Sequence, residues 1–158
     1  KEQYGFSSDL QKYVLEWLES IDTSGVCPIK KSFIGNCSDI FINFNYTDVL
    51  ERVYGVKTVL HLHGGVPSCS AIPPIMGHGN KFIIDYYKRR AQCASEEFVE
   101  WEESICSAIA KFCSSLYKDT DAIISRNESF FSSLKDIEQV VSIGLSFGNV
   151  DTPYLANC

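Results

Sequence analysis

Asn45 and His63 are the two residues of this sequence whose types and positions most directly suggest chemistry. Each follows a run of apolar residues and stands where that run gives way to polar residues and glycine. A histidine ring exchanges protons near neutral pH, so His63 could act as a general base, and Gly64 and Gly65 would let a ligand approach it. Both residues also have structural interpretations. His63 could bond to a loop carbonyl, and Asn45 could cap a helix that begins near Thr47.

The segment from residue 40 to residue 63 predicts a strand, a short helix and a second strand. The first apolar run ends at Asn45, the helical pattern ends at Gly55, and a second apolar run covers Val56–Leu62. A helical connection implies parallel pairing, and the carboxyl ends of parallel strands meet at the same edge of a sheet. Because ligands bind at that edge in α/β proteins, we expect Asn45 and His63 to share a site there.

A third apolar run, Val140–Gly144, predicts another buried strand, which ends just before Ser146. The sequence therefore favours an α/β fold, and its length fits a single domain over residues 1–158. Residues 64–80, rich in glycine and proline, predict a long loop. Helical patterns cover residues 10–21, 98–116 and 123–134.

The composition is ordinary for a globular domain and argues against two kinds of partner. The chain of 158 residues is 45% hydrophobic and 22% charged, and its net charge of −6 argues against a nucleic-acid-binding face. No apolar stretch approaches the roughly 18 residues that span a membrane. The seven cysteines form no C-x-x-C pair, so we interpret them as reduced thiols of a cytoplasmic protein.

Two other kinds of catalytic site match parts of the sequence. His61 and His63 alternate along the second strand, so their side chains would point the same way and could chelate a metal. Further ligands would come from His78, Asp48 and Asp151. No H-E-x-x-H motif supports this metal-dependent hydrolase, and we assign no metal ligand. Residues 144–148 match the G-x-S-x-G pattern of a nucleophile elbow at Ser146, but no acid and histidine follow in the usual order.

The order of several motifs resembles that of the bacterial AbiH abortive-infection family. The motifs are F-x-N-F-N-Y-T-x-x-L-E from Phe41, H-x-H-G from His61, G-H-G from Gly77 and G-x-S-F-G-N-V-D-x-P-Y from Gly144. The similarity runs from Ile40 to Tyr154, and it implies a role in phage defence.

At a greater distance the sequence resembles the sirtuin-like NAD-consuming fold, through Asn45-Tyr46, Glu51, His63-Gly64 and Gly144-x-Ser146. That resemblance implies a Rossmann-like parallel sheet flanked by helices. It also implies that Asn45 orients a ribose or a water and that His63 is the general base, with Gly144 and Ser146 on the adenosine side. The residues that we assign to nucleotide binding are Asn43, Thr47, Gly64, Gly144, Ser146 and Asp151.

The function implied by the resemblance is the hydrolysis of NAD or a related nucleotide, which would be the substrate. The alternative is a non-enzymatic sensor that binds a nucleotide or a phage component and signals by association, as an oligomer or with a phage trigger. AbiH proteins usually begin with a strand and a G-N-G-F-D turn suited to cradling phosphate, and this sequence lacks that turn. We therefore expect a fragment of the complete domain that binds NAD weakly or not at all by itself.

Overall fold

The computed structural model describes residues 6–29, 39–146 and 148–157. The chain divides into two compact units, Lys1–Met76 and Gly77–Cys158. The expectation of a single domain over residues 1–158 stays a prediction.

The first unit contains the predicted strand, helix and strand between residues 40 and 63, which are confirmed. Its elements are α1 (Phe6–Glu19), β1 (Phe41–Asn43), α2 (Val49–Tyr54) and β2 (Val59–His61). The two strands pair in parallel, with Phe41 opposite Val59 and Asn43 opposite His61. The backbone N–H of Leu62 donates to the carbonyl of Asn43 at 3.1 Å, which extends the pairing one residue beyond β2.

Gly55 ends α2 and turns the chain toward β2. Its φ of 72° is left-handed, a conformation that glycine adopts without steric cost. Its N–H donates to Glu51 O at 3.0 Å, and the N–H of Val56 donates to Leu50 O at 3.1 Å. These two hydrogen bonds satisfy carbonyl groups in the last turn of the helix and fix the direction in which the chain leaves it.

The predicted loop after β2 is confirmed, and it folds back on itself. The N–H of Gly65 donates to Ile72 O at 3.0 Å, and the N–H of Ile75 donates to His63 O at 2.7 Å. Leu62, at the start of this segment, is fully buried. The loop therefore packs over the end of β2, although several of its residues, Pro67 and Ser68 among them, are exposed.

The regular secondary structure among the described residues of the second unit is helical. Its helices are α3 (Lys81–Glu96), α4 (Glu100–Ser115), α5 (Thr120–Arg126), α6 (Glu128–Ser133) and α7 (Thr152–Leu155). Small buried side chains let α3 and α4 pack closely, and these are Ala91, Ala94, Cys106 and Ala110. The helical stretch predicted over 123–134 is interrupted at Asn127, where α5 ends and α6 begins.

The buried strand predicted over Val140–Gly144 is wrong. Residues 137–143 form no regular secondary structure, and Val140, Val141 and Ile143 are 63%, 70% and 66% exposed. An apolar run becomes a strand only where another strand offers backbone partners, and within the described residues only β1 and β2 form a sheet. The observed fold is thus a two-stranded parallel sheet among helices, and the larger Rossmann-like, sirtuin-like sheet stays a prediction.

Two compositional predictions can be compared with this fold. No helix within the described ranges is long and apolar enough to cross a membrane. The described cysteines are all free thiols, namely Cys27, Cys69, Cys93, Cys106 and Cys113. Cys37 and Cys158 lie outside the described residues.

Candidate functional site

The loops that follow β1 and β2 leave the sheet at the same edge. Parallel pairing of Asn43 with His61 sets the two strand ends side by side. The N–H of Val66 donates to Tyr46 O at 2.8 Å and ties the two loops together. Asn45 and His63 each stand two residues beyond their strand, so the sheet brings both predicted catalytic residues to this edge.

Asn43 organises the first of these loops. It is 7% exposed, its Oδ1 accepts the N–H of Asn45 at 2.9 Å, and its Nδ2 donates to Thr47 O at 3.4 Å. Asn45 itself is exposed. The residue at the N-cap of α2 is Asp48, so Asn45 does not take the capping role that its type also permitted.

His63 is enclosed by its surroundings. Its ring is 2% exposed and stands edge-on to Phe44, with ring centroids 5.7 Å apart. Gly64 follows with a φ of 73°, and a Cβ there would lie 2.3 Å from the carbonyl oxygen of Pro73. Only glycine fits at this position, because the 64–80 loop passes directly over it. His63 is therefore closed to ligands in this conformation.

His61 and Glu51 form the closest side-chain pair at this edge. His61 Nε2 lies 2.6 Å from Glu51 Oε1, and the His61 side chain is only 3% exposed. In the sequence, His61 is a metal candidate, and Glu51 enters only through the sirtuin-like resemblance. The pairing was missed because it depends on the parallel register, which carries β2 past the side of α2. The sequence feature that could have predicted this pairing is an acid on the predicted helix, Glu51, ten residues before a histidine on the next predicted strand, His61.

A cleft of about 310 Å³ lies beside the loop that follows β1. Thr47, one of the predicted nucleotide-binding residues, lines it together with Asp48 and Arg52. Arg52 donates to Thr23 Oγ1 at 2.9 Å, and Ser68 donates to Asp48 Oδ2 at 2.8 Å. The full lining is Leu18, Glu19, Ile21, Thr23, Thr47, Asp48, Arg52, Val66, Pro67 and Ser68, which includes neither Asn45 nor His63.

Gly144, Ser146 and Asp151 belong to the second unit. Gly144 has a φ of 69° with open space around it, and Asp151 stands at the start of α7 with its N–H donating to Gly148 O at 2.8 Å. Because no strand forms before them, the strand-end argument for Gly144 and Ser146 fails. Their participation in a site with Asn45 and His63 stays a prediction that depends on the resemblance.

The charge of Asp151 acts on two buried neighbours. Burial lowers the pKa of Lys118, and the carboxylate of Asp151 partly opposes that effect. Burial, followed by the charge of Asp151, raises the pKa of Tyr154 to about 12. The charge of Asp151 therefore affects the pKa values of two buried side chains of the second unit.

Neither His78 nor its neighbours resemble a metal site. His78 Nδ1 accepts the N–H of Asn80 at 3.2 Å, and Nε2 donates to Cys113 O at 3.1 Å, so both nitrogens hold the turn before α3. Across the part of the chain that the structure describes, no three His, Cys, Asp or Glu side chains are arranged to hold a metal ion.

Comparison with known proteins gives one match. The family model described as bacteriophage abortive infection AbiH matches residues 1–158. No curated protein and no solved structure matches the chain. The family match spans the whole sequence and agrees with the motifs at Phe41, His61, Gly77 and Gly144. The chain belongs to the AbiH family of bacteriophage abortive infection proteins.

Proposed function

We propose that this phage-defence protein acts by hydrolysing NAD or a related nucleotide at the edge where β1 and β2 end. The observation that carries the proposal is the parallel pairing of Asn43 with His61, because it sets the Asn45 and His63 loops side by side at the ligand-binding edge of a parallel sheet. An amide that orients a reactant and an imidazole that takes a proton are groups suited to such a hydrolysis near the scissile bond.

The neighbouring cleft supplies groups suited to the rest of a nucleotide. The Arg52 guanidinium can bind a phosphate through several N–H donors, and Thr47 offers a hydroxyl at the same wall. Asp48 and Ser68 already form a hydrogen bond at 2.8 Å, and their oxygens match the donors of a ribose diol. A volume of about 310 Å³ is in the lower part of the range for small-molecule sites.

In the proposed reaction His63 accepts the proton of a water or a ribose hydroxyl as the bond to nicotinamide breaks. Asn45 holds that reactant in place through its side-chain amide. Since His63 is 2% exposed, the 64–80 loop must lift from it before substrate enters. The same loop then shields the reacting atoms from bulk water when it closes, which strengthens electrostatic interactions in the site.

A second candidate function is a nucleotide sensor without catalysis. It is favoured by one observation: Thr47 and Arg52 line the cleft, whereas Asn45 and His63 do not. A sensor would bind its nucleotide at Thr47 and Arg52 and would not need the His63 ring. The closed 64–80 loop would then transmit binding to a partner.

The experiment that tests the proposal follows NAD in infected cells. Cells that express the full-length protein should lose NAD after infection, and cells that express His63→Ala should keep it and lose protection. Protection by His63→Ala equal to that of the parent protein, with the NAD pool intact in both, would favour the sensor. Western blots for equal protein levels serve as the control.

A further inference from the structure

Three side chains of the first unit form a connected row at the end of β2. Glu51 Oε1 lies 2.6 Å from His61 Nε2, and His61 Nδ1 lies 3.8 Å from Cys69 Sγ. The three come from different elements, since Glu51 is on α2, His61 ends β2 and Cys69 is in the 64–80 loop. A thiol, an imidazole and a carboxylate in this order are the parts of a nucleophile, its base and the group that orients the base.

The hydrogen bond to Glu51 determines which ring nitrogen of His61 carries a proton and which one has a lone pair for the thiol. A carboxylate only accepts hydrogen bonds, so Nε2 carries a proton, and in the neutral ring Nδ1 is the nitrogen that can accept one. The carbonyl oxygen of Asn45 lies 3.4 Å from the same Nδ1. Once Nδ1 has taken the thiol proton, that carbonyl can accept a hydrogen bond from it and stabilise the imidazolium.

Glycine at position 65 leaves the space that this row occupies. A Cβ on Gly65 would lie 2.9 Å from Cys69 Sγ and 3.3 Å from His61 Nδ1. Gly65 and Ser70, the neighbours of the thiol, also line a cleft of about 310 Å³ whose other walls are Leu15, Pro67, Ala71 and Pro73. Cys69 itself does not line this cleft, whose walls are mainly apolar, but two residues close to its half-buried thiol do.

The resting thiol is protonated at neutral pH. Burial, together with the nearby carboxylates of Glu51 and Asp48, raises the pKa of Cys69 to about 11. Such a thiol reacts only when a neighbouring base removes its proton during the attack, and His61 is the base within reach. The buried Glu51 Oε2 accepts no hydrogen bond among the described residues, which leaves an acceptor that a purely structural pair would not need.

We propose that Cys69 is the nucleophile of a second catalytic centre that cleaves esters or thioesters with a small apolar acyl group. His61 Nδ1 takes the thiol proton while Sγ bonds to the carbonyl carbon and the π electrons move to oxygen. As those electrons return, the bond to the alkoxide or thiolate leaving group breaks, and that group takes the proton from His61. Water, deprotonated by His61, then hydrolyses the thioester to a carboxylic acid and restores the thiol. Glu51 is a positioning residue.

The test is acylation of the full-length protein by p-nitrophenyl acetate, with the acetyl group located by peptide mass spectrometry. We expect acetylation of Cys69 ahead of the exposed thiols Cys27 and Cys93, and loss of turnover in Cys69→Ala. Cys93→Ala, which removes an exposed thiol from α3, should hydrolyse the ester like the parent protein. Acetyl groups spread over the exposed thiols, or parent turnover in Cys69→Ala, would overturn the proposal.

Variants of the other two residues separate catalysis from structure. His61→Ala should slow acetylation of Cys69 by at least about a hundredfold, a typical loss for a general base. Added imidazole should restore acetylation of Cys69 in that variant, and an absence of rescue in a folded protein would contradict the base role. If His61→Ala does not fold, Glu51→Gln serves as the test variant. Its acylation rate constant should fall while the half-saturating ester concentration stays unchanged. An unchanged rate constant in Glu51→Gln would overturn the positioning role.

Discussion

Asn43 on β1 lies directly opposite His61 on β2, and this pair determines how both strands pass into their loops. Asn43 turns its side chain into the first loop, where it bonds to Asn45 N and Thr47 O. His61 turns its ring toward Glu51 on α2. Two buried polar side chains at one level of the sheet thus fix the first loop and the side of the neighbouring helix.

Asn43→Ala should destabilise the protein markedly, and Asn45→Ala should not. Asn43 is 7% exposed and makes two hydrogen bonds to the loop, so its loss leaves buried polar groups unpaired, at a cost of about 1–3 kcal/mol. Asn45 is exposed, and truncation there should cost under about 0.5 kcal/mol. Urea unfolding of both variants gives the comparison, and equal losses would show that the Asn43 bonds do not hold the loop.

Gly64→Ala should cost more stability than Gly55→Ala, although both residues have the same backbone conformation. Their φ angles are 73° and 72°, so each substitution carries left-handed strain of about 1–2 kcal/mol. A Cβ at Gly55 meets nothing within 4 Å, whereas one at Gly64 lies 2.3 Å from Pro73 O. The difference in unfolding free energy isolates the close approach of the loop. Equal free energies would mean that Pro73 moves away freely.

The strand, helix and strand around α2 could be predicted from the sequence because local patterns determine them. The two apolar runs each end at polar residues, and Gly55 ends the helix between them. The failed strand at Val140–Gly144 shows the limit of this reasoning, because an apolar run specifies burial only if another element covers it. Valine is a residue type common in strands, but Val141 is 70% exposed.

The sequence predicts where the candidate site residues lie in the fold but not how exposed they are. Residue type and position bring Asn45 and His63 to one edge, but neither reveals that Asn45 is exposed and His63 is 2% exposed. Those properties follow from the path of the 64–80 loop, which has no periodic pattern. The row Glu51, His61 and Cys69 is assembled from three elements and needs the strand register to be known.

Stability should fall between pH 9 and pH 11 more steeply in the parent protein than in Cys69→Ala. The pKa of Cys69 is raised in the folded protein from 9.0 to about 11, so the unfolded chain loses its thiol proton first. The stabilising contribution of the protonated Cys69 thiol is complete below the pKa that the thiol has in the unfolded chain. It disappears as the pH rises through the pKa that the thiol has in the folded protein. Tyr154, whose pKa is raised to about 12, adds a loss at higher pH in both proteins. Parallel stability curves over pH 9 to pH 11 would contradict the buried thiol.

Arg52→Ala should weaken nucleotide binding to the full-length protein by about tenfold, the effect of losing one charge-assisted contact of roughly 1.4 kcal/mol. Arg89→Ala is the matched control, because Arg89 is an exposed arginine of α3. Isothermal titration with NAD measures both. The same dissociation constant in the two variants would place the phosphate somewhere other than the cleft beside Thr47.

Nicotinamide release from NAD by the purified full-length protein tests the proposed hydrolysis. The parent protein should release nicotinamide, and His63→Ala and Asn45→Ala should each be slower by about 10²- to 10⁴-fold, or about 3–5 kcal/mol of barrier. His78→Ala is the control, because His78 only holds the turn before α3. Nicotinamide release by His63→Ala at the parent rate, or NAD binding by the parent protein without any release, would contradict the account.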